Sequence, residues 1–251
     1  MDVIARLRAA GCVFAEDEAR LLTDAATTSA ELDVLVARRV EGIPLEHLLG
    51  WAEFRGARMA VAPGVFVPRR RTEFLAEQAI ALTRPGQIVV DLCCGCGAVG
   101  ASIAAEIDVE VHAADIEPAA VACARRNLPD GHVHQGDLYA ALPPSLRGRV
   151  DVLVSNVPYV PTDRIAMMPP EARAHEPHSA LDGGPDGLDF QRRVAAEAPD
   201  WLAPGGHLLV ETSVEQSPES LSIFETAGLT ARLQRCADRE ATIVLGRHDR
   251  G

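Results

Sequence analysis

From Gln87 onward the chain alternates short apolar runs with longer stretches whose apolar residues recur every three or four positions. Runs of the first kind read as buried strands, and stretches of the second as helices packed against them. Strands are predicted at Ile88 to Leu92, Val109 to Ala114, His132 to Gln135, Val150 to Ser155 and Gly206 to Glu211, and helices at Ala98 to Ile107, Pro118 to Asn127 and Leu188 to Leu202. This alternation predicts an α/β fold, a mainly parallel sheet with helices on both faces. The chain closes with a helix near Pro218 to Ala227 and strands near Thr230 to Gln234 and Ala241 to Leu245. The short link between those last strands predicts an antiparallel pair at one edge, which brings the sheet to seven strands.

The first 50 residues show helical spacing only. Ser29-Ala30-Glu31-Leu32 reads as a helix start, followed by Leu32, Leu35, Val36, Arg39 and Val40 on one face, and Gly42-Ile43-Pro44 ends that helix. Trp51 to Pro68 changes to a short β-hairpin and turn, and a helix follows from Phe74 to Leu82. The expected organisation is a helical cap over residues 1–50, a β-hairpin linker over 51–71 and a main domain over 72–251. The cap either covers a sheet edge or grips a macromolecular substrate.

Composition narrows the function classes. The formal charge of -12 disfavours sequence-independent capture of nucleic acid, which depends on Lys and Arg neutralising phosphates. No apolar stretch is long enough to span a bilayer, and Met1-Asp2-Val3-Ile4-Ala5-Arg6 lacks the layout of a signal peptide, so a cytoplasmic protein without membrane contact is expected. Of six cysteines, Cys93, Cys94 and Cys96 crowd into one glycine-rich turn, with no second Cys or His pair at zinc-like spacing. They read as reduced residues packing around a loop, with no metal expected; metal binding by the three is the alternative.

That turn carries the first candidate chemistry. Gly95, Gly97 and Gly100 follow the strand at the spacing of a dinucleotide-binding loop, and Asp115 ends the next strand where a ribose-binding acid is expected. A nicotinamide or flavin is therefore one reading. Asp91, four residues before the first glycine, is a poor neighbour for a pyrophosphate and a better one for a cation. S-adenosylmethionine carries a sulfonium and an ammonium, and its ribose hydroxyls suit Asp115. Gly136-Asp137-Leu138 after the third strand then offers Asp137 to an adenine amino group and Leu138 to the ring. The bland alternative is a tight strand-to-helix turn.

The second candidate is Asn156-Val157-Pro158-Tyr159, at the end of the apolar run Val150 to Val154 and so at the carboxyl edge of the sheet, where open α/β folds bind ligands. The Asn156 amide can accept from a planar N–H donor, Pro158 stiffens the turn, and the Tyr159 ring can cover a flat group. Alone, such residues are ordinary loop starters.

Together these pieces resemble the class I methyltransferases, and within them the HemK-like release factor glutamine methyltransferases, which modify the N5 nitrogen of glutamine. The resemblance runs through Arg39 to Pro44, Pro63 to Arg69 with Thr72-Glu73, Asp91 to Gly97, Asp115, Asn156 to Tyr159, Glu176-Pro177, Gly183-Gly184, Asp186 to Leu188, Pro204 to Gly206, Glu211 and Gln216. It departs from the family pattern at Val157, where the family has Pro, and at Arg70-Arg71, where it has Pro and an acid; the helical cap is also short. The resemblance implies a Rossmann-like fold, S-adenosyl-L-methionine as cofactor and a protein acceptor such as a peptide chain release factor, hence a role in translation termination. It implies a cofactor site at Asp91, Cys93, Gly95, Gly97, Asp115, Ile116, Asp137, Leu138 and Asn156. Phe66, Pro68, Arg69 and Thr72 would form a wall near cofactor and substrate; Phe66, Pro68 and Arg69 would bind substrate with Asn156, Val157, Pro158 and Tyr159, of which Asn156, Pro158 and Tyr159 serve catalysis.

The expected mechanism has the Asn156 side-chain oxygen and the Val157 carbonyl each accepting one N–H of the target NH2, so that its lone pair faces the methyl donor. No catalytic histidine is assigned; His134, His175 and His178 read as packing or surface residues. Two other readings keep the fold: methylation of an exocyclic amino group of nucleic acid or of another substrate, and cofactor or partner binding without catalysis.

Overall fold

The computed structural model describes residues 2–249; Met1 of the N-terminal segment and Arg250 and Gly251 of the main domain lie outside them. Four helices come first, α1 (Val3–Ala9), α2 (Ala15–Ala25), α3 (Ser29–Val40) and α4 (Leu45–Leu49). Their cluster, centred on Leu7, Ala19, Leu22 and Val36, is separate from the two that sandwich the sheet. At the start of α3 the Thr28 hydroxyl accepts from Glu31 N at 3.2 Å, while the Glu31 carboxylate accepts from Thr27 N at 2.7 Å. This reciprocal cap is what makes Ser29-Ala30-Glu31 legible as a helix start.

The hairpin is β1 (Trp51–Phe54) paired antiparallel with β2 (Ala57–Ala60) around Arg55-Gly56. Residues 61–71 run without regular structure into α5 (Thr72–Leu82), two residues earlier than the apolar spacing alone suggests. The main sheet then builds through β3 (Ile88–Leu92), α6 (Ala98–Glu106), β4 (Glu110–Asp115), α7 (Pro118–Asn127), β5 (His132–Gln135) and β6 (Val150–Ser155). It continues through α8 (Pro170–His175), α9 (Asp189–Trp201), β7 (Leu202–Thr212), α10 (Ser217–Thr226), β8 (Thr230–Cys236) and β9 (Ala241–Arg247). Strand order is β5-β4-β3-β6-β7-β9-β8, with the first five parallel and β9 antiparallel to both neighbours. The expected seven-stranded, mainly parallel sheet is therefore present, and its antiparallel pair lies at the β8 edge.

Every residue of β3 is buried, as a central strand covered on both faces requires. β7 is longer than predicted: it starts at Leu202 and absorbs Pro204-Gly205-Gly206 as an irregularity between the pairings of Val150 and Val152. Glycine and proline read as a break in the sequence, yet here they only bend the strand.

After β3 the chain winds toward β5, then returns to place β6 on the other side of β3. The sheet reverses direction between β3 and β6, and such a switch point opens a crevice at the carboxyl ends of the strands. Asp91 is the penultimate residue of β3 and Asn156 follows β6, so both candidate loops flank that crevice.

Candidate active site

One cleft at the switch point gathers nearly all of the sequence-derived site residues. Asp91, Cys93, Gly95, Asp115, Ile116, Asp137 and Leu138 line one wall. Phe66, Pro68, Arg69, Asn156, Val157, Pro158 and Tyr159 line the other. Gly97 stands apart: it is the N-cap of α6, in left-handed backbone with φ 76°, and supports the loop from behind rather than forming its wall.

The first wall is organised by backbone. Asp91 Oδ2 accepts from Gly100 N at 2.9 Å, and a side chain at Gly100 would press on that same oxygen, so the glycine keeps α6 close to β3. Burial pushes the Asp91 carboxyl up to about 7; Gly100 N–H opposes the rise and Asp115 adds to it. The Asp115 oxygens each accept one backbone N–H, from Gly95 at 2.8 Å and from Glu117 at 2.9 Å. Those bonds fix the carboxylate in the cleft and leave each oxygen further accepting capacity. Burial also raises the Asp115 carboxyl, against the pull of the same N–H groups. Asp137 pairs with Arg193 at 2.6 Å, and the apolar Ile116 lies 53% exposed beside it on this wall, unusual for a large hydrophobic residue.

Cys93, Cys94 and Cys96 are free, with burial the main cause raising each thiol, Cys96 to about 12. Such thiols are poor nucleophiles. They fill the turn as small residues.

The second wall is organised by side chains. Asn156 Nδ2 donates to Thr72 Oγ1 at 3.2 Å, which commits one amide N–H and turns the amide oxygen to its other side. Tyr159 donates its hydroxyl to Glu211 Oε1 at 3.1 Å, and Arg71 reaches the same oxygen at 3.4 Å while lying over the Tyr159 ring. Glu211 is buried; burial pushes its carboxyl up, and Thr72, Arg71 and Tyr159 hold it back. Its Oε2 has no hydrogen-bond partner, so the carboxylate's interactions concentrate on the Tyr159 and Arg71 side. Arg69 donates to both oxygens of the buried Glu176, at 2.6 and 2.7 Å, and the Val67 N–H adds a third bond. Of the three consecutive arginines, two are thus site residues.

The loop after β6 is closed, not loose. Val160 bridges Asp182, and Gln216 Nε2 donates to Tyr159 O at 2.9 Å and to Asp186 O at 3.0 Å. A Cβ at Gly183 would lie 2.7 Å from the carbonyl oxygens of Pro158 and Gly187, which explains the glycine pair as close backbone approach. Arg39 on α3 joins this region to the helical cap through Glu18 at 2.6 Å and Glu171 of α8 at 3.2 Å.

Sequence reasoning did not single out Arg71 as a site residue, and it reached Thr72 and Glu211 only through the resemblance; Thr72 does line the cleft. For Glu211 a signal existed: like Asp91, it is an acid ending an apolar run at the carboxyl edge of the sheet. The pairings of Thr72 with Asn156 and of Arg71 with Glu211 gave none, since only the fold brings those side chains together.

Residues 57–169 match the family model described as Methyltransferase small domain. The chain is 38% identical over 200 residues to the release factor glutamine methyltransferase of Geobacter sulfurreducens, covering 77% of this chain and 69% of that protein. It is 41% identical over 197 residues to that of Streptomyces coelicolor, covering 76% and 70% respectively. Among solved structures, a methyltransferase from Pyrococcus furiosus superposes with a TM-score of 0.60 over 85% of this chain and 98% of that one; at 16% identity this likeness bears on the fold. With the identity to such relatives extending over more than two thirds of their length, the chain belongs to the release factor glutamine methyltransferase family.

Proposed function

We propose that the protein transfers a methyl group from S-adenosylmethionine to the side-chain amide nitrogen of a glutamine in a protein acceptor, with a peptide chain release factor as that acceptor. The observation that carries the reading is the Asn156 amide. One of its N–H groups is held by Thr72, which fixes the amide's orientation, and its oxygen is the acceptor it offers to an incoming NH2 at the wall of the cleft.

The residues of the first wall fit S-adenosylmethionine. A buried carboxyl raised to about 7 gains from a nearby cation, which restores its charge, and Asp91 is such a group. Asp115 is oriented by two backbone donors with lone pairs to spare for ribose hydroxyls, while Ile116 and Leu138 offer apolar surface to the adenine. Asp137 faces the same end of the cleft. When bound, S-adenosylmethionine supplies an electrophilic methyl group on a positively charged sulfur.

An amide nitrogen is a weak nucleophile because its lone pair is delocalised. Asn156 Oδ1 and the Val157 carbonyl accept its two N–H bonds, hold it in one orientation and stabilise positive charge as it develops there. Tyr159, fixed through its hydroxyl by Glu211, packs against the flat amide, and Phe66, Pro68 and Arg69 close the outer side. The surplus proton of the methylated nitrogen passes to water, so no side chain has to act as a base.

Residues 1–50 act as a cap, 51–71 link it to the catalytic domain that begins at Thr72, and the Arg39 contact to Glu171 couples the cap to the acceptor side of the cleft. No helix among the described residues is long and apolar enough to cross a membrane, and a release factor acceptor places the protein in the cytoplasm.

The test is incubation of the purified protein with methyl-labelled cofactor and candidate release factors, followed by peptide mass mapping. Label on one glutamine, lost in Asn156→Ala, is expected. Label on nucleic acid, or label on glutamine that persists in Asn156→Ala, overturns the acceptor or the mechanism respectively.

A further inference from the structure

On the adjacent parallel strands β4 and β5 the chain reads Glu110-Val111-His112 and His132-Val133-His134. Strand periodicity puts residues two apart on the same face, and the register pairs His112 with His132 and Ala114 with His134. Glu110, His112, His132 and His134 therefore share one face at the edge of the sheet. Asp115 lies three residues beyond His112, about 10 Å along the strand, so Glu110, His112 and His132 stand back from the methyl-transfer cleft, while His134 pairs with Ala114 at its wall. None of the four residues has a part in that reaction.

His112 is only 5% exposed, and both its ring nitrogens are engaged. Nε2 lies 2.9 Å from a Glu110 oxygen, and Nδ1 lies 3.1 Å from His134 Nε2. The His132 ring stacks on it with centroids 4.7 Å apart. Imidazoles beside a carboxylate are a metal-binding donor set.

We propose that Glu110, His112 and His132 form a site for a borderline divalent transition-metal ion of the zinc class. One ligand atom from each lies within 4.8 Å of the others. Ligands about 2.1 Å from a tetrahedral ion stand roughly 3.4 Å apart, so closure needs only a small shift of the two exposed members, Glu110 and His132. A His112 that coordinates through Nε2 keeps its proton on Nδ1, where His134 accepts it, the usual support for a ligating histidine. The ion would fasten the edge strand β5 to β4, and β5 leads directly into Gly136-Asp137-Leu138 of the cofactor wall.

The test uses the full chain stripped with a chelator. Calorimetric titration with Zn2+ should show one equivalent bound, with a raised unfolding temperature. Co2+ should give weak visible bands without the strong near-ultraviolet absorption of thiolate ligands. The Glu110→Gln/His132→Gln variant should bind Zn2+ at least about tenfold more weakly and lose the rise in unfolding temperature that Zn2+ gives the wild type, each protein being compared with its own metal-free form. Absence of stoichiometric uptake, uptake unaltered in that variant, or strong thiolate absorption that would move the ion to Cys93, Cys94 and Cys96 each overturns the proposal.

Discussion

The two walls of the cleft are held together over different distances in sequence. On the cofactor side, Asp91 meets Gly100 nine residues away and Asp115 meets Gly95 twenty residues away, both through backbone N–H groups. On the acceptor side, Tyr159 meets Glu211, Asn156 meets Thr72 and Arg69 meets Glu176 across 52, 84 and 107 residues, through side chains on both ends. A wall made of backbone depends on where glycines allow the chain to turn. A wall made of side chains depends on each partner being present, and so it is the more sensitive to single substitutions and the more adaptable to a new acceptor.

If that contrast holds, the largest effect comes from the acceptor side. Asn156→Ala removes a preorganised acceptor of the reacting NH2 and should lower kcat by about 100- to 1000-fold. Binding of S-adenosylhomocysteine should change far less, because Asp91 and Asp115 are untouched. Steady-state kinetics beside calorimetry makes the comparison, and a rate within tenfold of wild type removes Asn156 from the centre of the mechanism.

Next in size is Arg69→Met, which leaves Glu176 buried without its guanidinium. Breaking a fully buried pair costs roughly 3–5 kcal/mol, and the partial exposure of Arg69, at 33%, discounts this to about 2–3 kcal/mol. Burial already raises the Glu176 carboxyl and Arg69 draws it down, so the variant's carboxyl titrates higher still. A protonated Glu176 is cheaper to bury, hence the variant's deficit should grow as pH rises from 5.5 to 8. Denaturant midpoints at both pH values check the sign, and an equal deficit at each shows that Arg69 acts by packing alone.

The same contrast decides what could be read from the sequence. Asp91, Gly95, Asp115 and Asp137 sit at the ends of successive strands, so period and punctuation alone place them in one crevice once the sheet is recognised as parallel. The alternation predicts a parallel sheet with an antiparallel pair at one edge, but not the strand order, which several doubly wound folds arrange differently. Arg71, Thr72, Glu176 and Glu211 carry no local mark of their partners, because an ion pair or a hydrogen bond over 50 to 100 residues is fixed by packing. Gly183-Gly184 illustrates the limit: glycines read equally as flexibility or as close approach, and only the Pro158 carbonyl beside Gly183 selects the second.

On the cofactor side the expected signature is a dependence on pH. Asp91 titrates near 7 in the folded protein and near 3.8 when free, so the native state holds an extra proton between those values and its stability falls as pH rises through that window. Ligand binding runs the opposite way: a cationic ligand pairs with the ionised carboxylate, and affinity should rise about tenfold from pH 6 to pH 8 and level off above. Calorimetry with S-adenosylhomocysteine, whose ammonium supplies the cation, should register proton release near pH 6. Asp91→Asn should bind more weakly with no such slope; a slope that survives the substitution assigns it to another group.

The smallest effect belongs to Val157, where this chain departs from the family's proline. Its side chain is 2% exposed and packs in the cluster beneath the sheet, while the proposed chemistry asks only for its carbonyl. Proline at that position would keep the carbonyl and bias Asn156 toward extended backbone. It would reduce the freedom of the unfolded chain, a gain of about 0.4–1 kcal/mol, against some loss of buried methyl contacts. Val157→Pro should therefore leave the methyl-transfer rate within about threefold and move the melting midpoint by only about 2 °C. A fall of tenfold or more would mean that the Val157 side chain or its N–H shapes the acceptor pocket. In that case Val157 joins Arg71 in setting the chain's acceptor wall apart from the family pattern, and peptides differing beside the target glutamine should be discriminated by wild type and variant in opposite senses.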